Sequence, residues 1–282
     1  MKLAFSTNAY KKTTLESAVA SIGSLGYAGV EIMADIPHAY PPDMPADRTA
    51  RLRDLLARLN LQVSNVNAFT LFALGDTYHP SWIDDDAAKI EQRITHTLNS
   101  IRLTAALGGT TISLEPGGPL GTSSRHVALD RYEAGLRRCL PLAQQLGITL
   151  LVEPEPGLLI EHAADCIAFL ERINHPHLRM NCDLGHFYCV NEDPAEVVRK
   201  YAPWIAHVHA EDIAATRVHQ HLIPGLGAMD WPAIFAALRA TPYAGWITVE
   251  LYPYETTAEQ AARQALGYLQ RFLTETSMDK LD

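Results

Sequence analysis

The sequence predicts a closed (β/α)8 barrel, read as a single domain over residues 1–282. Three observations point there. Short β-like runs alternate with longer stretches of helical periodicity along the whole chain, and the runs number about eight, enough to close a parallel barrel. Glycines mark the helix-to-strand junctions, whereas the long connections follow the strands. Four consecutive late runs end in an ionisable residue.

The β-like runs fall at 3–8, 29–33, 62–67, 110–115, 149–153, 178–183, 205–209 and 246–250. Between them, apolar residues recur at helical spacing, as in Ala18, Ile22 and Leu25, or Leu52, Leu55, Leu56 and Leu59 with charges opposite. Thr13 with Glu16, Asp193 with Glu196, and Thr257 with Gln260 read as capping boxes. Pro194 and Pro232 fit first helical positions, where a missing N–H costs nothing, and Asp230 reads as a helix N-cap. Gly26, Gly108 and Gly147 close helices before the next strand. The extended connections 35–46, 68–86, 116–124 and 211–230 all follow strands, which places elaboration on the C-terminal face of the barrel. A doubly wound open sheet is the alternative, but no Gly-rich fingerprint follows the first run.

Composition narrows the function classes. Lys plus Arg total 23 against 32 Asp plus Glu, a net charge of −9, with 48% apolar and 20% charged residues. That balance suits a folded globule and excludes a disordered tail or a disulfide-stapled miniprotein. The excess of acid speaks against a nucleic-acid surface, since phosphate binding rests on Lys and Arg. No run is long and apolar enough for a membrane span, so no membrane partner is expected, and the N-terminus turns polar too soon for a secretory leader. Cys139, Cys166, Cys182 and Cys189 form no C-x-x-C pair and read as reduced thiols of a cytoplasmic protein.

The chemistry gathers at strand ends. The fifth run ends in Glu153, the sixth in Asp183, the seventh in His209 and the eighth in Glu250. A charge at the end of an apolar strand is costly unless it is paired, solvated or bound to a metal. If the runs surround one barrel, these four converge at one mouth. Three carboxylates and one imidazole make a hard site suited to one divalent ion, Mn²⁺, Mg²⁺ or Co²⁺, with Zn²⁺ also accommodated. The opposing reading is four separate caps or salt bridges. His207 shares a face with His209, one layer deeper, and reads as a supporting group, a substrate contact or a core histidine.

Five segments carry a resemblance: Val152-Glu153-Pro154-Glu155-Pro156, Asp183-Leu184-Gly185-His186, His207-Val208-His209-Ala210-Glu211-Asp212, Gly225-Leu226-Gly227-Ala228-Met229-Asp230-Trp231, and Thr248-Val249-Glu250. In order and spacing they resemble the xylose-isomerase-like TIM-barrel superfamily of sugar and sugar-phosphate isomerases and epimerases. The resemblance spans most of the chain and is strongest from about residue 148. It implies that Glu153, Asp183, His209 and Glu250 hold one divalent metal. It implies too that Glu153 and Glu250 act as acid/base groups on opposite faces of a substrate, with His186 touching a substrate oxygen. The substrate would be a small polyhydroxylated carbonyl compound. Many relatives are dimers or tetramers, so a homo-oligomer is compatible. Two positions depart from the pattern. Ala215 stands where the ketose epimerases have an arginine, with Arg217 nearest, and Glu211 stands where many relatives have lysine, which would make the loop more acidic.

The expected reaction is isomerisation or epimerisation through an enediolate. A divalent ion stabilises the developing charge, and a carboxylate within about 3 Å of the carbon moves the proton. One carboxylate working on one face favours aldose–ketose isomerisation, whereas two on opposite faces allow inversion. A dehydratase of a cyclitol or dehydroshikimate-like acid would use the same enolate chemistry, and a silent sugar-binding barrel would use none. A DNA-repair endonuclease of the superfamily would need a metal cluster, more histidines and a basic groove.

Further candidates line the predicted mouth. Glu155 is aimed there by Pro154 and Pro156, or is a solvated loop residue, or replaces Glu153 as ligand. Glu115 binds a substrate hydroxyl or neutralises a nearby cation. His221 and Arg217 are expected to contact substrate; the His219 and His221 pair reads as a substrate contact or a solvated loop pair, with a second metal the lesser alternative. Phe69, Phe72 and Trp82 either cover a sugar face or pack a loop. His38, His79, His96, His126, His162, His175 and His177 read mostly as surface residues.

Overall fold

The structure, a computed structural model, describes residues 1–274, so residues 275–282 of the predicted domain lie outside the described residues. Eight parallel strands close a barrel in sequence order: β1 Lys2–Ser6, β2 Gly29–Met33, β3 Gln62–Asn67, β4 Thr111–Leu114, β5 Thr149–Val152, β6 Leu178–Asp183, β7 Ile205–Ala210 and β8 Trp246–Val249. Closure runs through the register of Lys2 with Trp246 and Phe5 with Val249. The outer ring is α1 Leu15–Leu25, α2 Ala46–Arg58, α3 Ala87–Leu107, α4 Arg125–Leu146, α5 Ala163–Ile173, α6 Leu184–Cys189, α7 Pro194–Tyr201, α8 Trp231–Arg239 and α9 Ala258–Thr274. The predicted strands thus all occur, shifted by at most two residues at their ends.

The strands are buried on both faces, as parallel strands under a helical ring must be. Between strands and helices lies an apolar layer that includes Phe5, Ile22, Trp82, Tyr132, Phe169, Phe187, Trp231 and Phe235. The first run continues past β1 into a 3₁₀ turn at Thr7–Tyr10, which redirects Asn8 into the barrel mouth. The cap of α1 falls on Thr14 rather than Thr13, because the Thr14 hydroxyl accepts from Ser17 N–H. Asp193 and Asp230 cap α7 and α8 as read from sequence. All four cysteines are free thiols, three of them buried. Among the described residues, no helix is long and apolar enough to cross a membrane.

Gly26, Gly108 and Gly147 take φ of 96°, 79° and 68° at the ends of α1, α3 and α4. At Gly26 an added Cβ would meet nothing within 4 Å, so only the left-handed backbone resists a side chain. Gly26→Ala is therefore expected to lower stability by about 1 kcal/mol through backbone strain alone, read as an earlier urea midpoint at unchanged slope.

Two histidines read as surface residues need correction, whereas Trp82 takes the packing role of its two readings. His38 and His96 are buried, not surface residues; both are held below the usual imidazole range by burial, His96 down to about 3. Trp82 covers no sugar face: it is fully buried against Tyr132 and Gly135. Its loop is pinned from beneath by Arg93, whose guanidinium donates to Pro80 O, Ala68 O and Phe69 O.

Candidate active site

The strand ends place four donors together. The Glu153 backbone N–H donates to Leu114 O on β4, and that of Glu250 donates to Ala210 O on β7, which fixes both residues at the rim. Asp183 and His209 lie side by side in the β6–β7 register. His209 Nδ1 is 2.9 Å from Glu153 Oε1, 3.7 Å from Asp183 Oδ2 and 3.8 Å from Glu250 Oε1. Glu153, Asp183, His209 and Glu250 each offer one atom to a cluster no wider than 4.8 Å, and all four are buried. This is the set read from the strand ends.

These donors fit a divalent ion. Atoms about 2.0–2.2 Å from a common centre are spaced about 3–4 Å apart, which matches the separations here. Asp183 Oδ1 caps α6 by accepting from His186 N–H at 2.8 Å, which leaves Oδ2 free. That oxygen and Glu153 Oε2 are buried with no hydrogen-bond partner. Unpaired buried carboxylate oxygens are costly unless a cation meets them. Burial lifts the Glu250 carboxyl well above its ordinary range, with Glu153, Glu31 and Asp183 adding to the rise against the opposing His209. Burial would lower His209, yet Glu31, Glu153 and Glu250 hold its imidazole well above the usual value. An excess of negative charge in a dry site is the electrostatic setting of a cation site.

Above the cluster a cavity of ≈ 260 Å³ opens at the C-terminal mouth. Glu153 and Glu250 line it, while Asp183 and His209 lie beneath its floor. Asn8 and Asn67 donate to Glu250 Oε1 at 2.9 and 3.1 Å and so fix that carboxylate's rotamer. Phe69, Phe72, Met33 and Tyr252 supply the apolar walls.

The opposite wall is a second polar group. Glu155 accepts from Tyr78 Oη at 3.0 Å and lies 3.2 Å from His186 Nε2 and 3.4 Å from His219 Nδ1. Glu155 is therefore a buried cavity residue rather than a solvated one, and Glu153, not Glu155, sits against His209. Burial raises the Glu155 carboxyl to about 7, with His186 opposing. His186 Nδ1–H donates to Pro154 O and His221 Nδ1–H donates to Glu250 O, so both rings turn Nε2 toward the cavity side. His219 and His221 Nε2 atoms are 3.2 Å apart, and with His186 they form a second group of converging imidazoles. Burial lowers His221 to about 4 and His219 to about 2, so both are neutral at pH 7.

Three expected residues are placed elsewhere. Arg217 does not line the cavity: its guanidinium stacks 3.9 Å over Tyr188 while donating to Tyr188 O. Glu115 does not line the cavity either. It is fully buried 3.6 Å from Arg93, which is the cation-neutralising reading, and burial raises it to about 8 against that guanidinium. Glu211 adds no acidity to the loop surface, since it is buried and accepts from Gly185 N–H at 2.6 Å. Gly185 is required there, because a Cβ would lie 1.9 Å from Glu211 Oε1. His207 is wholly enclosed in the barrel interior, held down to about 3 by burial and by His209.

Sequence reasoning missed Asn8, Asn67, Tyr78 and Glu31. Only Glu31 left a trace, a charge in the middle of the apolar run Gly29-Val30-Glu31-Ile32-Met33.

The sequence model of the xylose isomerase-like TIM barrel family matches residues 19–272. The chain belongs to that family. An inosose dehydratase of Clostridium botulinum is 23% identical over 260 residues, covering 85% of this chain and 83% of the relative. A fructoselysine 3-epimerase of Escherichia coli O157:H7 is 25% identical over 284 residues, covering 98% and 99%. The solved structure of the IolI protein with a bound zinc atom superposes with a TM-score of 0.80 at 16% identity, over 97% of this chain and all of the other.

Proposed function

We propose that this protein is a divalent-metal-dependent isomerase or epimerase of a small polyhydroxylated carbonyl compound: a sugar, a sugar phosphate or a close relative. One observation carries the reading. Two glutamates that follow strands five and eight, Glu153 and Glu250, belong to the four-donor cluster and also line the cavity above it. The 3-epimerase among the relatives supports it.

Glu153, Asp183, His209 and Glu250 would hold the ion. When bound, it supplies Lewis-acid stabilisation of charge growing on a substrate oxygen, worth several kcal/mol. The residues do the rest. Each glutamate reaches the cavity from a different strand, so a carbon beside the carbonyl meets a carboxylate on either side. One takes the proton; returning it from the same side shifts or restores it, and delivery from the other inverts the centre. Asn8 and Asn67 keep Glu250 in one rotamer during transfer. His186, with Nδ1–H committed to Pro154 O, presents Nε2 to a substrate hydroxyl, and His221 does the same from the eighth-strand side. Phe69 and Phe72 exclude water from the apolar face of the bound compound.

A second reading, dehydration of a cyclitol-like ketone, has its own support. Glu155 is a third carboxyl in the cavity, hydrogen-bonded to Tyr78 and placed to give a proton to a departing hydroxyl. The inosose dehydratase among the relatives agrees.

The test is proton exchange. Metal-depleted protein is reloaded with Mn²⁺, Mg²⁺, Co²⁺ or Zn²⁺ and incubated in D₂O with ketoses, their phosphates and inososes. Deuterium uptake beside the carbonyl, abolished by chelation and restored by metal, is expected. Uptake with water loss selects the dehydratase. Tight binding of a ligand without any exchange would replace both readings with a sugar-binding barrel.

A further inference from the structure

We infer that Glu31 is a positioning residue for the four-donor centre: its carboxylate holds the Nε2–H edge of His209, so that Nδ1 is the nitrogen left to ligate the ion beside Glu153, Asp183 and Glu250. The inference rests on the metal reading above and concerns a residue outside the donor set.

The placement is unusual for an acid. Glu31 lies in the middle of β2, fully buried inside the barrel. The β2–β3 register shifts between Val30 and Glu31, an irregularity of the kind that re-aims a side chain. Its Oε2 is 2.6 Å from His209 Nε2, 2.9 Å from Asn65 Nδ2 and 3.6 Å from His207 Nε2. Asn65 also reaches Ser113 Oγ at 3.0 Å, so the acid is braced from β3 and β4. A carboxylate in that interior is costly without a strong partner.

The two edges of the His209 ring therefore have different tasks. Nε2 meets Glu31, and Nδ1 meets the three carboxylates of the cluster at 2.9, 3.7 and 3.8 Å. A neutral imidazole has one N–H and one lone pair, and the hydrogen bond at one nitrogen decides which edge can ligate. Glu31, His207 and His209 also lie close enough together to suggest an ion of their own. The 2.6 Å separation argues otherwise: two ligands about 2.0–2.2 Å from one ion stand roughly 3 Å or more apart, whereas 2.6 Å suits a charge-assisted hydrogen bond. A carboxylate behind a ligating histidine fixes ring orientation and strengthens the nitrogen as a donor.

The test uses Zn²⁺ as probe on the full chain, metal-depleted and followed by calorimetry. Glu31→Gln keeps one acceptor oxygen without the charge, and Glu31→Leu removes both. Zinc affinity is expected to fall about 10–100-fold in the variants, more for Leu than for Gln. In the zinc-loaded wild type, ¹⁵N-edited spectra should show His209 protonated at Nε2 with slow solvent exchange, and the variants should lose that protection. A merely structural role would lower the melting temperature while leaving zinc affinity and the His209 signal unmoved. If Glu31→Leu fails to fold, Glu31→Gln decides alone. Equal affinity and an unchanged His209 signal in the folded variants would overturn the inference and leave the metal site standing. No zinc uptake by wild type would overturn the metal reading, and the inference with it.

Discussion

Glu250→Gln is expected to abolish proton exchange while leaving the barrel folded. The side chain is isosteric, and its remaining carbonyl oxygen can still accept from Asn8 and Asn67, which now hold Oε1 at 2.9 and 3.1 Å. The new amide nitrogen would then take the place of Oε2. It cannot accept a proton, and Oε1, the oxygen 3.8 Å from His209 Nδ1, keeps its place in the cluster but loses its negative charge. Loss of the acid/base group should reduce exchange by about 10²–10⁴-fold. Loss of an anionic donor should weaken metal uptake in addition, so exchange is to be measured at saturating metal. The same change at Glu153 should resemble it, because both carboxylates line the cavity and both belong to the cluster. An epimerase needs both, so either single variant should stop inversion. Exchange near the wild-type rate in saturating metal would place the acid/base chemistry on other residues, with Glu155 the first to examine.

Asp212→Ala should have the largest effect on stability. Asp212 is buried at the end of β7, and its Oδ1 accepts from Ile213 N–H at 3.0 Å and Met229 N–H at 3.2 Å. Oδ2 accepts from Gly225 N–H at 2.8 Å and Trp231 Nε1–H at 2.9 Å. One carboxylate thus ties together both ends of the connection between β7 and α8. It also explains the Gly-Leu-Gly of the motif: a Cβ on Gly227 would fall 2.3 Å from Asp212 Oδ1, and one on Gly225 would strike Tyr268. Alanine leaves four donors without their acceptor, at a cost of about 3–5 kcal/mol once the freed groups find water in part. The connection carries His219 and His221, so substrate contact should be lost together with stability. Urea unfolding and cavity-ligand binding on the same preparation would show both. Asp212→Asn should be intermediate, since Oδ1 retains its two donors while an amide N–H would face Gly225 N–H and Trp231 Nε1–H. Unfolding indistinguishable from wild type in the alanine variant would mean that the loop is held by its apolar contacts alone.

The barrel was legible because its signals are local. A strand buried on both faces reads as a short apolar run, a helix as a 3.6-residue period, and the αβ turn as a glycine at positive φ. The four-donor cluster was legible for a related reason: each member ends its own apolar run, where an ionisable residue has no local use. Residues whose partners are distant in sequence stayed hidden. Asn8 is 242 positions from Glu250, and Glu31 is 178 positions from His209. An asparagine in a loop, or one acid in a strand, carries no mark of such a partner. Arg217 failed in the opposite sense. Its neighbourhood in sequence suggested the mouth, but loop backbone has no fixed period, and the side chain lies over Tyr188, a contact no local signal announces.

By itself, then, the sequence determined the (β/α)8 architecture, the face that carries the chemistry, and four of the residues that meet there, since hydrophobic period and strand-end placement are properties of neighbouring residues. The tertiary structure alone decided which atoms face one another: Glu153 rather than Glu155 against His209, Nδ1 of that ring toward Glu153 with Nε2 toward Glu31, and Glu115 toward Arg93 instead of the cavity. Those choices depend on barrel closure and strand register, which bring side chains from opposite ends of the chain within ångströms and let burial and hydrogen bonding select one rotamer for each.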